Sequence, residues 1–419
     1  MGRILCDSAA AVNEPVGGLD ASKETRVDIF EKCRAFTRAD ELKATDLYPY
    51  FTPIQEAVGN EIKVNGRPMI MVGSNNYLGL AHHPLAKAAA KEAVERYGVG
   101  TCGSRFLTGT IDLHEQLEDR LAKFMGREAA LTFSTGYQTN LGIISTIAGK
   151  GDHILIDRMD HASIIDACRL SFATVHKYKH NDMKDLERIL ASLSPEAGKL
   201  IVVDGVFSME GDIVDLPGLV PLARQYGARV VVDDAHGIGV LGAHGRGTAE
   251  HFGLESEVDL IMGTFSKTFA SIGGVVVGAK PVISYIKHHA RSLIFSAAAT
   301  PSSVASVLAI LDMLETRPEL RTRLWAVAER MRAGLRSLGY DTGPSQTPII
   351  PVLVHDDEKC FMLWRLLREE GIFTTPVIYP AVPHGQSLIR TSYGAGHTDA
   401  ELDAILAAFE KCGRAIGII

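Results

Sequence analysis

Six short apolar runs along the middle of the chain constrain its fold more than any other feature. They are Ala130-Leu-Thr-Phe133, Ile154-Leu-Ile156, Leu200-Ile-Val-Val203, Val230-Val-Val232, Leu260-Ile-Met262 and Val275-Val-Val277. Most are separated by stretches of helical period, such as Leu186 to Leu193 and Leu219 to Tyr226. A strand that is apolar at nearly every position must be covered on both faces, and helices between successive strands supply the cover. The pattern predicts an α/β fold with a mainly parallel central sheet and helices on both faces. Such a sheet opens the C-terminal ends of its strands onto one crevice, where ligands bind.

The flanking segments read differently. Residues 1 to about 22 mix Ala, Gly, Pro and charge and are expected to be loose. Ile29, Cys33 and Phe36 then fall at i, i+4 and i+7, which predicts one amphipathic helix between Arg26 and Leu42. Glu61 to Val72 reads as a hairpin turning at Asn65-Gly66. Beyond about residue 300 a long helical region leads into a smaller α+β segment. Its last helix is announced by the capping pattern Thr398-Asp-Ala-Glu401. The expected division is an N-terminal helix and small-strand segment over 1–81, a large α/β domain over 82–305 and a C-terminal α+β domain over 306–419.

Composition removes several classes of function. The balance of 43 basic against 50 acidic residues, a net −7, argues against a nucleic-acid partner. No apolar run approaches the roughly 18 residues that cross a bilayer. Polar residues interrupt the N-terminus too early for a secretory signal. The six cysteines are scattered with no C-x-x-C pair, which points to reduced thiols in a cytoplasmic protein and to no metal site.

Chemistry concentrates at the predicted strand ends. Lys267 follows Leu260-Ile-Met262 in the segment Gly263-Thr-Phe-Ser-Lys267, where partial desolvation would favour a neutral, reactive amine. Asp233, Asp234 and His236 follow Val230-Val-Val232. An amine that forms an imine and a carboxylate that keeps a ring nitrogen protonated are what pyridoxal 5'-phosphate asks of a protein. Either aspartate could instead cap a helix or bind a metal, and His236 could be a satisfied core histidine. The turn Ser134-Thr-Gly-Tyr137 joins a strand to a helix and offers Gly136 and Tyr137 as a phosphate cup, with Thr264 and Ser266 as further donors. His161 also follows a strand and could stack on a flat ring. Gly237-Ile-Gly239-Val-Leu-Gly242 matches a dinucleotide fingerprint, but Ala243-His-Gly-Arg-Gly-Thr248 is no helix start and two aspartates precede it.

In order along the chain, Ser74-Asn-Asn-Tyr-Leu-Gly-Leu80, Phe133-Ser-Thr-Gly-Tyr137, Asp160-His-Ala-Ser163, Asp204-Gly-Val-Phe-Ser-Met209, Val232-Asp-Asp-Ala-His236 and Thr264-Phe-Ser-Lys267 resemble the α-oxoamine synthases, fold-type I pyridoxal-phosphate enzymes. The resemblance runs from about Tyr50 to the C-terminus. It implies that Lys267 carries the cofactor as an imine and Asp233 meets the pyridinium. It places His161 on the ring face, and His236 with Ser208 at the phenolic oxygen. Gly136, Tyr137, Thr264 and Ser266 would surround the phosphate, with Ser296 arriving from a partner subunit of a homodimer. Arg390 would bind the amino-acid carboxylate, and Asn76 and Ser104 would line the substrate site. The implied reaction is decarboxylative condensation of an amino acid with an acyl-CoA. Gly103-Ser-Arg-Phe-Leu-Thr-Gly-Thr110 and Arg291-Ser-Leu-Ile-Phe-Ser296 resemble members that join L-serine to palmitoyl-CoA to give 3-ketodihydrosphingosine, the first step of sphingolipid synthesis. Ile378-Tyr-Pro-Ala-Val-Pro383 is more similar to glycine-using members, so glycine C-acetyltransferase or another short-chain activity stays open. So does a non-catalytic regulatory subunit. A long-chain donor also raises peripheral membrane contact as an expectation.

Overall fold

The computed structural model describes residues 28–379 and 381–419. The stretch expected to be loose, 1 to about 22, lies outside them, as does Pro380 within Ile378–Pro383.

All six apolar runs are strands. Numbered in chain order after an N-terminal set (β1, Glu56–Val58; β2, Glu61–Val64; β3, Arg67–Met71), they are β4 (Ala129–Phe133), β5 (His153–Asp157), β7 (Lys199–Asp204), β8 (Arg229–Asp233), β9 (Leu260–Thr264) and β10 (Gly274–Gly278). A seventh strand, β6 (Thr174–Tyr178), lacks a continuous apolar run because it lies at the sheet edge and is half exposed. The order is β4-β10-β9-β8-β7-β5-β6. Only β10 runs antiparallel to its neighbours, β4 and β9.

Alternation along each strand splits the core in two. Leu155, Ile201, Val203, Val230, Val232 and Ile261 join one buried cluster. Ile154, Ile156, Leu200, Val202, Val231 and Met262 join the other. Both faces are therefore dry, as the unbroken apolar runs require.

The predicted hairpin forms between β2 and β3, and Asn65 (φ 50°) and Gly66 (φ 77°) take the left-handed conformations of its two-residue turn. Its sheet is completed by a strand from the far end of the chain: β12 (Ile372–Phe373) pairs with β3 in parallel. The remaining strands, β11 (Ile349–Leu353), β13 (Thr375–Val377) and β14 (Leu388–Ser392), form a small antiparallel sheet in the order β11-β14-β13. Thr398 caps the final helix, Asp399–Ala415, through the reciprocal bonds with Glu401 that the sequence announces.

The single amphipathic helix expected from Arg26 to Leu42 is not found. Two short helices, Glu31–Arg34 and Arg38–Ala44, replace it. Thr37 interrupts them, its hydroxyl donating to the Glu41 carboxylate at 2.7 Å. Ile29, Phe30 and Phe36 are exposed, so no tertiary contact sustains a longer helix. Among the described residues, no helix is long and apolar enough to cross a membrane.

Candidate active site

The parallel strands β5, β7, β8 and β9 end on the same side of the sheet, and a cavity of about 300 Å³ opens there. That is the lower end of the range for small-molecule sites. Lys267, His161, Asp233, His236, Gly136, Tyr137, Ser208, Thr264 and Ser266 all line it. Residues up to 131 positions apart (Gly136 and Lys267) meet because their strands share one polarity.

Asp233 is the last residue of β8, and its neighbour Asp234 points elsewhere. Asp233 lines the cavity, while Asp234 is fully buried behind it. The Asp234 carboxylate accepts the Thr248 backbone N–H at 2.6 Å and the Thr248 hydroxyl at 2.7 Å. Burial raises Asp234 to about 7. One aspartate is thus free for a ligand and the other holds the helix Thr248–Phe252.

That buried carboxylate also explains Gly237, the first glycine of the false dinucleotide fingerprint, and Gly247 beyond it. A Cβ on Gly237 would lie 1.8 Å from Asp234 Oδ1, and one on Gly247 would lie 1.9 Å from its Oδ2. The glycines wrap a side chain of the protein itself, not a pyrophosphate.

Asp233 is held by a hydrogen-bond chain that local patterns did not reveal. Asn140 Nδ2 donates to Asp233 Oδ2 at 2.7 Å and to Ser163 Oγ at 2.8 Å. Since Ser163 accepts there, its own proton goes to His161 Nδ1, 2.8 Å away. The Ser163 backbone N–H points at the same nitrogen. His161 is therefore neutral with its proton on Nε2, and burial lowers its pKa in agreement. Asn140 lies four residues after Gly136, on the same face of the helix Gly136–Ile147, and this spacing was the available signal.

Asp204, also missed, ends β7 opposite Asp233 in register and lines the cavity. Two neighbouring strands ending in aspartate were the clue. Burial, then the charges of Asp233 and Asp160, push Asp204 well above the usual carboxylate range. Lys267 faces both Asp204 and Asp233, but burial outweighs their pull and lowers its amine to about 8. The neutral amine is therefore reached at a lower pH than for an exposed lysine.

The start of the helix Gly136–Ile147 forms the cup predicted for an anion. Thr135 caps it, accepting the Gln138 N–H at 3.1 Å. The first N–H groups of the helix have no partner within it. Thr264 and Ser266 hydroxyls lie 2.9 Å apart beside it. Gly136 leaves no slack, since a Cβ there would sit 2.8 Å from Thr264 Oγ1 and 3.2 Å from Met262 Cε.

Four expected residues are not in the cavity wall. Arg390, on β14, lies just behind it: its Nε donates to the Ser208 carbonyl at 2.8 Å and its Nη2 to Asn75 Oδ1 at 3.0 Å. These bonds aim the guanidinium while using two of its five donors. Asn76 closes a turn, its Oδ1 accepting the Ala81 N–H at 3.3 Å. Ser296 accepts from Gln138 Nε2 at 3.0 Å, at the outer side of the cup helix. Ser104 bridges to Ala297 and keeps a buried, unpartnered hydroxyl.

A profile described as aminotransferase class I and II matches residues 67–409. The chain is 50% identical over 390 residues to a serine palmitoyltransferase of Bacteriovorax stolpii, covering 93% of each. It is 44% identical over 383 residues to an 8-amino-7-oxononanoate synthase of Thermoanaerobacter pseudethanolicus, covering 91% of this chain and 97% of that one. A solved serine palmitoyltransferase from S. paucimobilis, with a bound PLP-myriocin aldimine, superposes with a TM-score of 0.91 at 38% identity, over 94% of this chain and all of that one.

Proposed function

Because the chain belongs to the α-oxoamine synthases, within the aminotransferase class I and II family, we propose that it condenses an amino acid, L-serine, with a long-chain acyl-CoA such as palmitoyl-CoA. The observation that carries this reading is the convergence of Lys267, Asp233, His161 and His236 on one cavity, beside an anion cup at a helix start. In the net reaction the amino-acid α-carbon joins the acyl carbonyl carbon, and CoA and CO2 are released.

The cavity fits pyridoxal 5'-phosphate on its own geometry. Asp233 Oδ2 takes Asn140 and Oδ1 takes the Ala235 N–H at 3.1 Å, which fixes the carboxylate while each oxygen keeps a further lone pair. Gly136, Thr264 and Ser266 would hold the phosphate, Asp233 the ring nitrogen, His161 the ring face, and Lys267 the aldehyde carbon. The cofactor supplies an electron-withdrawing ring that takes up the charge left when an amino acid loses its α-proton. Asn140 orients the Asp233 carboxylate, which would then meet the ring nitrogen and keep it protonated. Lys267, with a lowered pKa, accepts the α-proton at Nζ and returns one later. Arg390, aimed by Ser208 and Asn75, grips the substrate carboxylate.

Gly136→Ala should weaken cofactor binding at least about tenfold, because the added methyl must displace Thr264 or the helix start. Fluorescence titration of cofactor-free protein reads the dissociation constant, and an unchanged value contradicts the cup.

We also propose a homodimer in which Ser296 reaches the partner's site. Supporting it, Phe106, Leu107, Ile272 and Phe295 are exposed on segments flanking the cavity and Ser296. A cytoplasmic location is supported by the cysteines, since the five that are described are free.

CoA release measured over a grid of amino acids and acyl chain lengths tests the reaction. Serine with a C16 donor should exceed glycine with acetyl-CoA by about 100-fold or more in kcat/KM. Preference for glycine and a short acyl group would transfer the assignment to another member of the family. Absence of any turnover, with cofactor bound, would favour a regulatory subunit.

A further inference from the structure

The segment Ser74–Leu80 enters the chemistry described so far only through Asn75, which aims Arg390, yet its tyrosine also reaches the site. Tyr77 is buried, and its hydroxyl lies 2.6 Å from Nδ1 of His236, 159 positions away. A separation that short is below the usual range for a ring N–H donor and within that for a hydroxyl donor. The other acceptor for the phenol proton, Asn75 Oδ1, is 3.4 Å away and already takes Arg390 Nη2. Burial raises the Tyr77 phenol to about 12, so the proton is there to give. From this geometry we infer that Tyr77 is a positioning residue: its hydroxyl donates to His236 Nδ1 and fixes the imidazole as the tautomer with its proton on Nε2. Nε2 lies on the opposite edge of a ring that lines the cavity.

The consequence is a matched pair of imidazoles. Ser163 occupies Nδ1 of His161 and Tyr77 occupies Nδ1 of His236, so both rings offer Nε2–H as their donor. Without the phenol, His236 could turn its proton to Nδ1 and offer an acceptor where the proposed cofactor presents an oxygen. Through Asn75 the same short segment steadies Arg390. The catalytic part of this inference rests on the proposed function, but the tautomer does not.

The test uses Tyr77→Phe and the wild-type protein. With ¹⁵N-histidine labelling and assignment by His236→Asn, wild-type protein without substrate should show His236 Nδ1 unprotonated and Nε2 protonated. In Tyr77→Phe a mixture of tautomers is expected, and the ratio of the two cofactor absorbance bands in the loaded, substrate-free protein should change about twofold or more. Turnover should fall about tenfold with the amino-acid KM within about twofold, the split expected of a donor lost to the reacting group. A protonated Nδ1 in wild type overturns the inference without need of a folded variant. So does a Tyr77→Phe protein with an unaltered tautomer and spectrum. Because the tautomer is read without substrate, its failure is separate from a failure of the condensation assay.

Discussion

Lys267→Ala and Lys267→Met proteins are expected to lose condensation activity by about 10⁴-fold or more, and to lose the visible absorbance band of a covalently held cofactor. The same substitutions should make the cofactor-free protein more stable. Burial lowers the Lys267 amine from 10.5 to about 8. Between pH 8 and 10.5 the unfolded chain therefore binds more protons than the folded one, and stability rises with pH across that window. Below pH 8 the folded protein carries the whole penalty, on the order of 3 kcal/mol. Lys267→Met should remove it, so the variant unfolds at higher denaturant near pH 7 and the difference closes as pH approaches 10.5. Loss of activity with gain of stability marks a residue kept for chemistry at the expense of the fold. A destabilised Lys267→Met protein, or a cofactor trapped by borohydride on another side chain, would contradict this account.

Asp233→Asn and Asp234→Asn should separate two adjacent carboxylates completely. Asp233 lines the cavity and is aimed by Asn140. An amide there cannot hold a ring nitrogen in its protonated form, and turnover should fall about 10³-fold or more with the fold intact. Asp234 is buried with its oxygens on Thr248, so its substitution should act on stability, by about 1–2 kcal/mol, and leave the chemistry nearly untouched. The pH dependence carries a sign. Burial raises Asp234 to about 7 from 3.8. In that window the folded protein binds more protons than the unfolded chain, so this group's contribution to stability declines as pH rises from about 4 to 7. Asp160 and Asp204 are also raised by burial and act in the same direction, so the decline should be reduced in Asp234→Asn and not abolished. Urea unfolding at pH 5 and pH 8 measures the difference. Equal activity losses in the two variants would refute the division of labour.

Much of this site was legible because the cofactor's chemical demands fall on residues at strand ends, where the change from apolar run to polar turn marks them. Lys267, Asp233, His236, His161 and Gly136 were marked that way, and the family resemblance added Ser208 and Arg390. Asn140 escaped notice because it lies inside a helix and acts through hydrogen bonds to Asp233 and Ser163, which are 93 and 23 positions away. Asp204 lies within a family motif yet carries no local mark of a role, since its register with Asp233 exists only once β7 and β8 are paired. The helix expected from Arg26 to Leu42 failed for the opposite reason: its periodicity was present, but no surface packs against Ile29 and Phe36.

By itself, the sequence determined the alternation of strands and helices, the buried two-faced sheet, the hairpin at Asn65-Gly66 and the cap at Thr398. These depend on the spacing of neighbouring residues, which acts before any distant contact forms. The tertiary structure decided that Asp234 turns away from the cavity to hold Thr248 while Asp233 lines it, because successive side chains leave a strand in opposite directions. It also decided that Tyr77 meets His236, that Arg390 stands behind Ser208, and that a glycine-rich loop encloses a carboxylate. Those contacts join residues far apart in the chain, and nothing in the local pattern carries their distance.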